Sequence, residues 1–187
     1  MPRFRNSSER YGIIAQALHW LIAALVLAQV ALGLYAAKLP LGLARLEWLS
    51  RHKALGVTVL ALVLVRLAWR LLDRPPALPD AMPAVERRAA LATHRLLYAL
   101  LVLAPLAGWL LASASGLSAS WFGLFRVPDL IAKNPSLVAP LKLAHKIFVA
   151  LLVLAVVLHV AAALRHAVVR RDGVLHRMLP WQPPAGR

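Results

Sequence analysis

Four stretches of this 187-residue chain, roughly residues 12–37, 46–72, 89–113 and 137–167, are each long and apolar enough to cross a lipid bilayer. That feature leaves few folds open. Inside hydrocarbon every backbone N–H and C=O must be satisfied by the protein itself, so only helices and closed barrels span a membrane. A spanning helix takes about 20 apolar residues and a barrel strand only about 10, and these runs have the helical length. The expectation is an all-α integral membrane four-helix bundle, a single domain over residues 1–187. The first run exceeds the apolar core of about 7–15 residues typical of a secretory signal, so it is read as a retained helix. The Pro-rich run "LDRPPALPDAMPAVERR" separates the second helix from the third, and a longer loop from Ser113 to Pro140 precedes the fourth.

Composition agrees. Hydrophobic residues make up 61% of the chain and its mean hydropathy is +0.70, well above a soluble domain. The 22 Lys and Arg against 7 Asp and Glu cluster between the apolar runs and toward their ends rather than through their middles. That pattern anchors a protein to lipid headgroups and gives no nucleic-acid-binding face. Fourteen of these cations fall on the side of the two tails (Arg3, Arg5 and Arg10; Arg165, Arg170, Arg171, Arg177 and Arg187) and of the second loop with its flanking helix ends. Eight fall on the other side: Lys38, Arg45, Arg51, Lys53, Arg126, Lys133, Lys142 and Lys146. The excess of Lys and Arg marks the cytoplasmic side, so both termini are expected in the cytoplasm. The opposite face is basic too, since only Glu47 and Asp129 oppose its eight cations.

The chain has no cysteine, which removes disulfides, thiolate zinc sites, iron–sulfur clusters and covalently attached haem. Histidine is then almost the only ligand for a metal held within the membrane, because the three methionines lie outside the apolar runs. With alternating helix directions, His52 and His145 share a depth near the end away from the termini. His19 shares a depth with His159 near the termini, and so does His94. On the fourth helix His145 and His159 are 14 residues apart. That spacing is about 40° short of four full turns and about 21 Å along the axis, so the two imidazoles face one way at two levels. Paired imidazoles at two depths are what two six-coordinate haems stacked in a bundle require. A lone histidine in a membrane helix is as readily a helix–helix hydrogen bonder; four at paired depths are not so easily explained. Depth alone does not decide whether His19 or His94 pairs with His159. His166 and His176 are read as interfacial, without a cofactor role. Gly33, Gly56 and Gly108 are small enough to let macrocycles approach the helix backbones. Trp20, Trp48, Trp69, Trp109 and Trp121 read as interface or packing residues, and Arg66 and Arg70 as side chains that snorkel to the surface.

Four segments, "RYGIIAQALHWLIA", "RHKALGVTVLALVLVRLAWRL", "THRLLYALLVLAPLAGWLLASASG" and "LHVAAALRHAVVRRDGVLHRMLP", closely resemble the helices and tail of the bacterial di-haem cytochrome b561 family. The resemblance covers nearly the whole chain. It implies a multi-pass protein of the bacterial inner membrane carrying two b haems. It also implies His19 and His159 as ligands of the inner haem and His52 and His145 as ligands of the outer, favouring His19 over His94.

For the reaction, the resemblance implies superoxide oxidation. Periplasmic superoxide gives its electron to the haems, oxygen is released, and ubiquinone is reduced in the membrane. The basic outer face suits that reaction independently, because clustered positive charge steers a small anion. Lys142, Lys146, Arg51 and Lys53 are the candidates for this funnel; propionate or headgroup pairing is the competing role. Gln16, Arg66, Arg95, His94 and Tyr98 are candidates for lining a quinone pocket. An alternative within redox chemistry is a cytochrome b subunit that takes electrons from a hydrogenase- or dehydrogenase-like protein partner. A transporter with a histidine proton relay is a third reading, disfavoured by the scarcity of intramembrane carboxylates.

Overall fold

The computed structural model describes residues 4–79 and 82–179. Arg3 and Arg187, counted above with the tails, lie outside the described residues. Four long helices, α1 (Ile13–Lys38), α2 (Leu43–Leu72), α3 (Ala84–Ala114) and α4 (Pro135–Arg165), account for most of the chain. α2 begins three residues and α3 five residues before the expected boundaries, because charged residues such as Arg45 and Glu86 lie within their first turns and helix geometry tolerates them there.

Local chemistry ends each helix. α1 stops at Leu39, held extended by the following Pro40, and α2 stops at Asp73, just before Pro75 and Pro76. α3 closes in a left-handed glycine turn: Gly116, at φ +69°, donates to the Ser113 carbonyl, and Leu117 donates to that of Ala112. α4 opens on Asn134, whose side chain accepts the Ser136 N–H at 3.1 Å, with Pro135 in the first turn. It continues into a π-helical turn, His166–Arg170, ended by Arg171 in the left-handed region at φ 51°.

The loop between α3 and α4 is not wholly irregular. Ser120–Trp121 (β1) and Phe125–Arg126 (β2) form a short antiparallel hairpin. Its Trp121 indole N–H donates to the Thr58 hydroxyl of α2 at 3.0 Å. Lys53, also on α2, donates to the Leu117 carbonyl at 2.8 Å. The hairpin is therefore folded along α2.

α1 packs on α2, α2 on α3 and α3 on α4. Midway along the bundle Ile22, Val26, Val59, Val63, Leu100, Leu152 and Ala155 form a buried cluster to which all four helices contribute. Most other large apolar side chains face outwards; of each span's most hydrophobic window, only between 11% and 28% of the residues are buried inside the protein. Helices apolar on every side belong in lipid. At the end carrying both termini, the tail folds back over α1. Tyr11 N–H donates to the Arg177 carbonyl at 3.2 Å and the Trp20 indole N–H to that of Met178 at 2.9 Å. Asp172 accepts from His166 Nδ1 and from the Val174 N–H, which closes the turn leading into that tail.

Two outcomes are expected. Val63 is fully buried, and in a bilayer its removal loses packing rather than hydrophobic transfer, so Val63→Ala should cost about 1–2 kcal/mol, read from thermal loss of helical circular dichroism in detergent. Burial alone works to raise the Asp172 carboxyl, but its hydrogen bonds to His166 and Val174 outweigh this and hold it below the usual carboxylate range. A depressed carboxyl stabilises the fold above its unfolded value, near about 3.9, and that contribution disappears as pH falls through the lower folded value. Asp172→Asn should therefore lower the amide-exchange protection factors at Val174–Met178 at neutral pH, and acidification of the unaltered protein should lower them likewise.

Candidate metal centre

The structure brings the histidines together at two levels. Near the termini, the His19 ring on α1 lies with its centroid 6.2 Å from that of His159 on α4. At the other level, the His52 ring on α2 lies 6.3 Å from that of His145 on α4. Neither α1 with α4 nor α2 with α4 is a closely packed helix pair, so each pair of rings reaches across a gap in the bundle.

The two rings at the second level are anchored in the same manner. His52 Nδ1 lies 3.2 Å from the Gln29 carbonyl of α1, and His145 Nδ1 lies 2.9 Å from the Ala104 carbonyl of α3. A carbonyl only accepts, so each Nδ1 must carry the proton and each Nε2 is left with its lone pair. Four residues beyond each carbonyl stands a glycine. A Cβ on Gly33 would lie 2.8 Å from His52 Cε1, and one on Gly108 would lie 3.1 Å from His145 Cε1. Without a side chain there, each ring can lie against the neighbouring helix and reach the carbonyl one turn back. Gly33 and Gly108 therefore seat imidazoles. Gly56 seats the Gln29 side-chain amide, whose nitrogen a Cβ would approach to 3.0 Å.

The spacing suits a metal. An atom bound by two imidazole nitrogens at about 2 Å each, with each ring centre roughly 1 Å beyond its nitrogen, separates the centroids by roughly 6 Å. Both pairs meet that separation. His94 stands 5.2 Å from His159, closer than such a bridge allows, and its Nδ1 is tied to the Ala90 carbonyl of its own helix at 2.7 Å. Two imidazoles supply two of six positions; a b-type haem iron takes the other four from its tetrapyrrole. No cluster of three or more His, Asp or Glu side chains able to hold a bare ion occurs among the described residues.

Around the second level the basic residues are not equivalent. Lys142 and Lys146 are exposed on α4. Arg51 pairs with Glu47 and lies 4.6 Å over the Trp48 ring. Lys53 is half-buried with its ammonium on the loop carbonyls of Leu117 and Ser118. Near the termini the expectation of snorkelling arginines is corrected. Arg66 turns inward and donates to the Tyr98 hydroxyl at 3.1 Å and the Ala15 carbonyl at 2.8 Å, joining three helices. The Arg70 guanidinium lies 5.7 Å over the Tyr98 ring. Helix interiors offer such partners once the helices are assembled, and the sequence does not name them. A shallow cleft beside these residues, with about 20 Å³ of free space, is lined by Tyr11, Ala15, Arg66, Trp69 and Tyr98 among others. The Trp69 indole nitrogen is buried with no acceptor among the described residues. Of the other residues expected to line a quinone pocket, Gln16 is buried and bonded to the Tyr11 and Arg177 carbonyls, while Arg95 faces outwards.

Comparison with known proteins bears on this geometry. Residues 10–181 match the family model described as prokaryotic cytochrome b561. The chain is 34% identical over 181 residues to cytochrome b561 homolog 2 of Escherichia coli, covering 94% of each protein. It is 30% identical over 129 residues to cytochrome b561 homolog 1 of the same organism, covering 69% of this chain and 73% of the relative. It is also 27% identical over 177 residues to the probable superoxide oxidase CybB of Yersinia pestis, covering 92% and 97%.

If the glycines are the seats of the imidazoles, Gly33→Ala and Gly108→Ala should each lower the haem bound per chain, measured by pyridine haemochrome against protein. Gly42→Ala should not, because a Cβ there meets nothing within 4 Å and its φ of 164° is open to any residue.

Proposed function

Since the chain belongs to the prokaryotic cytochrome b561 family, multi-pass proteins of the bacterial inner membrane that carry electrons across it on b-type haem, we propose that it holds two haems and uses them to oxidise periplasmic superoxide and reduce ubiquinone. The observation that carries this reading is the pair of matched imidazole separations, 6.2 and 6.3 Å, at two levels. His19 and His159 would hold the inner haem, and His52 and His145 the outer. Both termini then face the cytoplasm, in keeping with the surplus of Lys and Arg at that end.

Bound haem supplies a one-electron carrier at each level; the rest is work for the chain's own groups. Each superoxide yields one electron and leaves as oxygen, so two are consumed, with two protons from the cytoplasmic side, for every ubiquinone converted to quinol. Lys142 and Lys146, exposed beside His145, together with Arg51 and Lys53, lay a positive field over the outer end that draws in a small anion. Lys142 and Lys146 are the freest to meet it, because Arg51 has Glu47 and Lys53 has the loop carbonyls. The name of the Yersinia relative supports superoxide as donor, at 27% identity. At the inner end Arg66, Tyr98 and the unpaired Trp69 N–H are proposed to offer hydrogen bonds to a quinone head, for which the shallow cleft they line would have to open.

The deciding experiment mixes purified, oxidised protein with a superoxide source and follows the haem bands. Rapid reduction abolished by superoxide dismutase, then reoxidation by added ubiquinone, is expected. Haem bands that ignore superoxide would turn the assignment to a cytochrome b subunit fed by a hydrogenase- or dehydrogenase-like partner. For the ligands, His52→Ala or His145→Ala should each remove one haem and leave the other, and His19→Ala or His159→Ala should do the converse; two haems per chain in any of these variants would overturn the pairing.

A further inference from the structure

Gln29, one turn before Gly33 on α1, does more at His52 than lend its backbone carbonyl. Its side-chain Nε2 donates to the His52 carbonyl at 2.9 Å, while His52 Nδ1–H donates to the Gln29 carbonyl at 3.2 Å. Each side chain holds the other's backbone, and the two helices are clasped through one residue from each. The same amide nitrogen lies 3.4 Å from His52 Nε2, the nitrogen left for the metal. Gly56, one turn beyond His52, provides the space, since a Cβ there would come to 3.0 Å from Gln29 Nε2.

The amide cannot be turned round. The His52 carbonyl only accepts, so the nitrogen end must face it. That leaves Gln29 Oε1 buried without a partner among the described residues, an arrangement that is costly and calls for a reason. Gln16, the other glutamine of α1, is bonded instead to the Tyr11 and Arg177 carbonyls.

We propose that Gln29 is a positioning residue that clamps His52 and presents the positive end of its amide dipole to the ligating nitrogen, raising the reduction potential of the haem held there. The inference rests on His52 and His145 being ligands of the outer haem. Groups just outside a metal's ligands set ligand orientation and metal potential. Away from water a fixed dipole acts with little screening. An N–H end beside the site favours the reduced state, and with no donor on Oε1 nothing offsets it. The outer haem is thereby poised to take up an electron, and the inner one is untouched by this amide.

The test is a redox titration of the purified protein with both haems loaded. Gln29→Met keeps length and bulk but removes the amide. It should retain two haems and shift the outer midpoint to more negative potential by about a tenfold change in the one-electron equilibrium, about 59 mV, with the inner midpoint unmoved. Gln29→Glu, which substitutes a carboxylate in the same shape, should shift it further in the same direction, and it decides the matter if Gln29→Met does not keep the outer haem. Two loaded haems with unchanged potentials, or a positive shift, would overturn the inference and leave the ligand assignment standing. A single haem in the unaltered protein, or two in His52→Ala, would remove the ligand assignment and this inference with it.

Discussion

The contact on which the second histidine level depends is an imidazole N–H donated to a helix carbonyl over a missing side chain. Helix carbonyls are ordinarily screened by the side chain one turn further on. At Gln29 and Gly33, and again at Ala104 and Gly108, that screen is absent, and His52 and His145 each take the carbonyl so uncovered. The bond sets the tautomer, turns Nε2 away from the helix it rests on, and fixes the rings about one metal's width apart. No such bond holds His19 or His159 among the described residues. Their level is enclosed differently, by the returning tail and by Arg66 bridging three helices.

Between the two levels lies the cluster of Ile22, Val26, Val59, Val63, Leu100, Leu152 and Ala155. These buried side chains hold no charge and offer no hydrogen-bond partner to water. Electron transfer between the proposed haems would cross this layer, while protons and ions would not, which is what an electron carrier spanning a membrane has to achieve. In lipid the helices gain no hydrophobic advantage from meeting one another, so close packing and interhelical hydrogen bonds hold them. The pairs Gln29 with His52 and Arg66 with Tyr98 are of that kind, and Trp121 with Thr58 ties the hairpin to α2 in the same way.

Much of this was legible in the residues. Four apolar runs imply four spanning helices because hydrocarbon permits little else, and those helices are present, with charged first turns extending α2 and α3 beyond the apolar runs. The depths of His19, His52, His145 and His159 followed from alternating helix direction and a fixed rise per residue, and the structure sets those rings in the matching pairs. Gly33, Gly56 and Gly108 were noticed as small, but not that they receive two imidazoles and an amide. Smallness can be read from sequence, whereas the occupant of the space depends on how helices rotate against each other. Arg66 was assigned to the surface for the same reason, since no periodicity reveals the Tyr98 hydroxyl and Ala15 carbonyl that draw it inward. The hairpin before α4 was hidden because strands of two residues carry no pattern.

By itself, then, the sequence determined the solvent, the number of spans, and the depth at which each imidazole would lie, because these follow from bilayer thickness, hydropathy and helix pitch alone. The tertiary structure decided which groups meet: His19 rather than His94 at bridging distance from His159, Gln29 beside His52, and Lys53 on the loop rather than free at the surface. Depth is a property of one helix. Contact depends on the rotation and spacing of two, and those are set only when glycine gaps, buried carbonyls and apolar side chains are all accommodated at once.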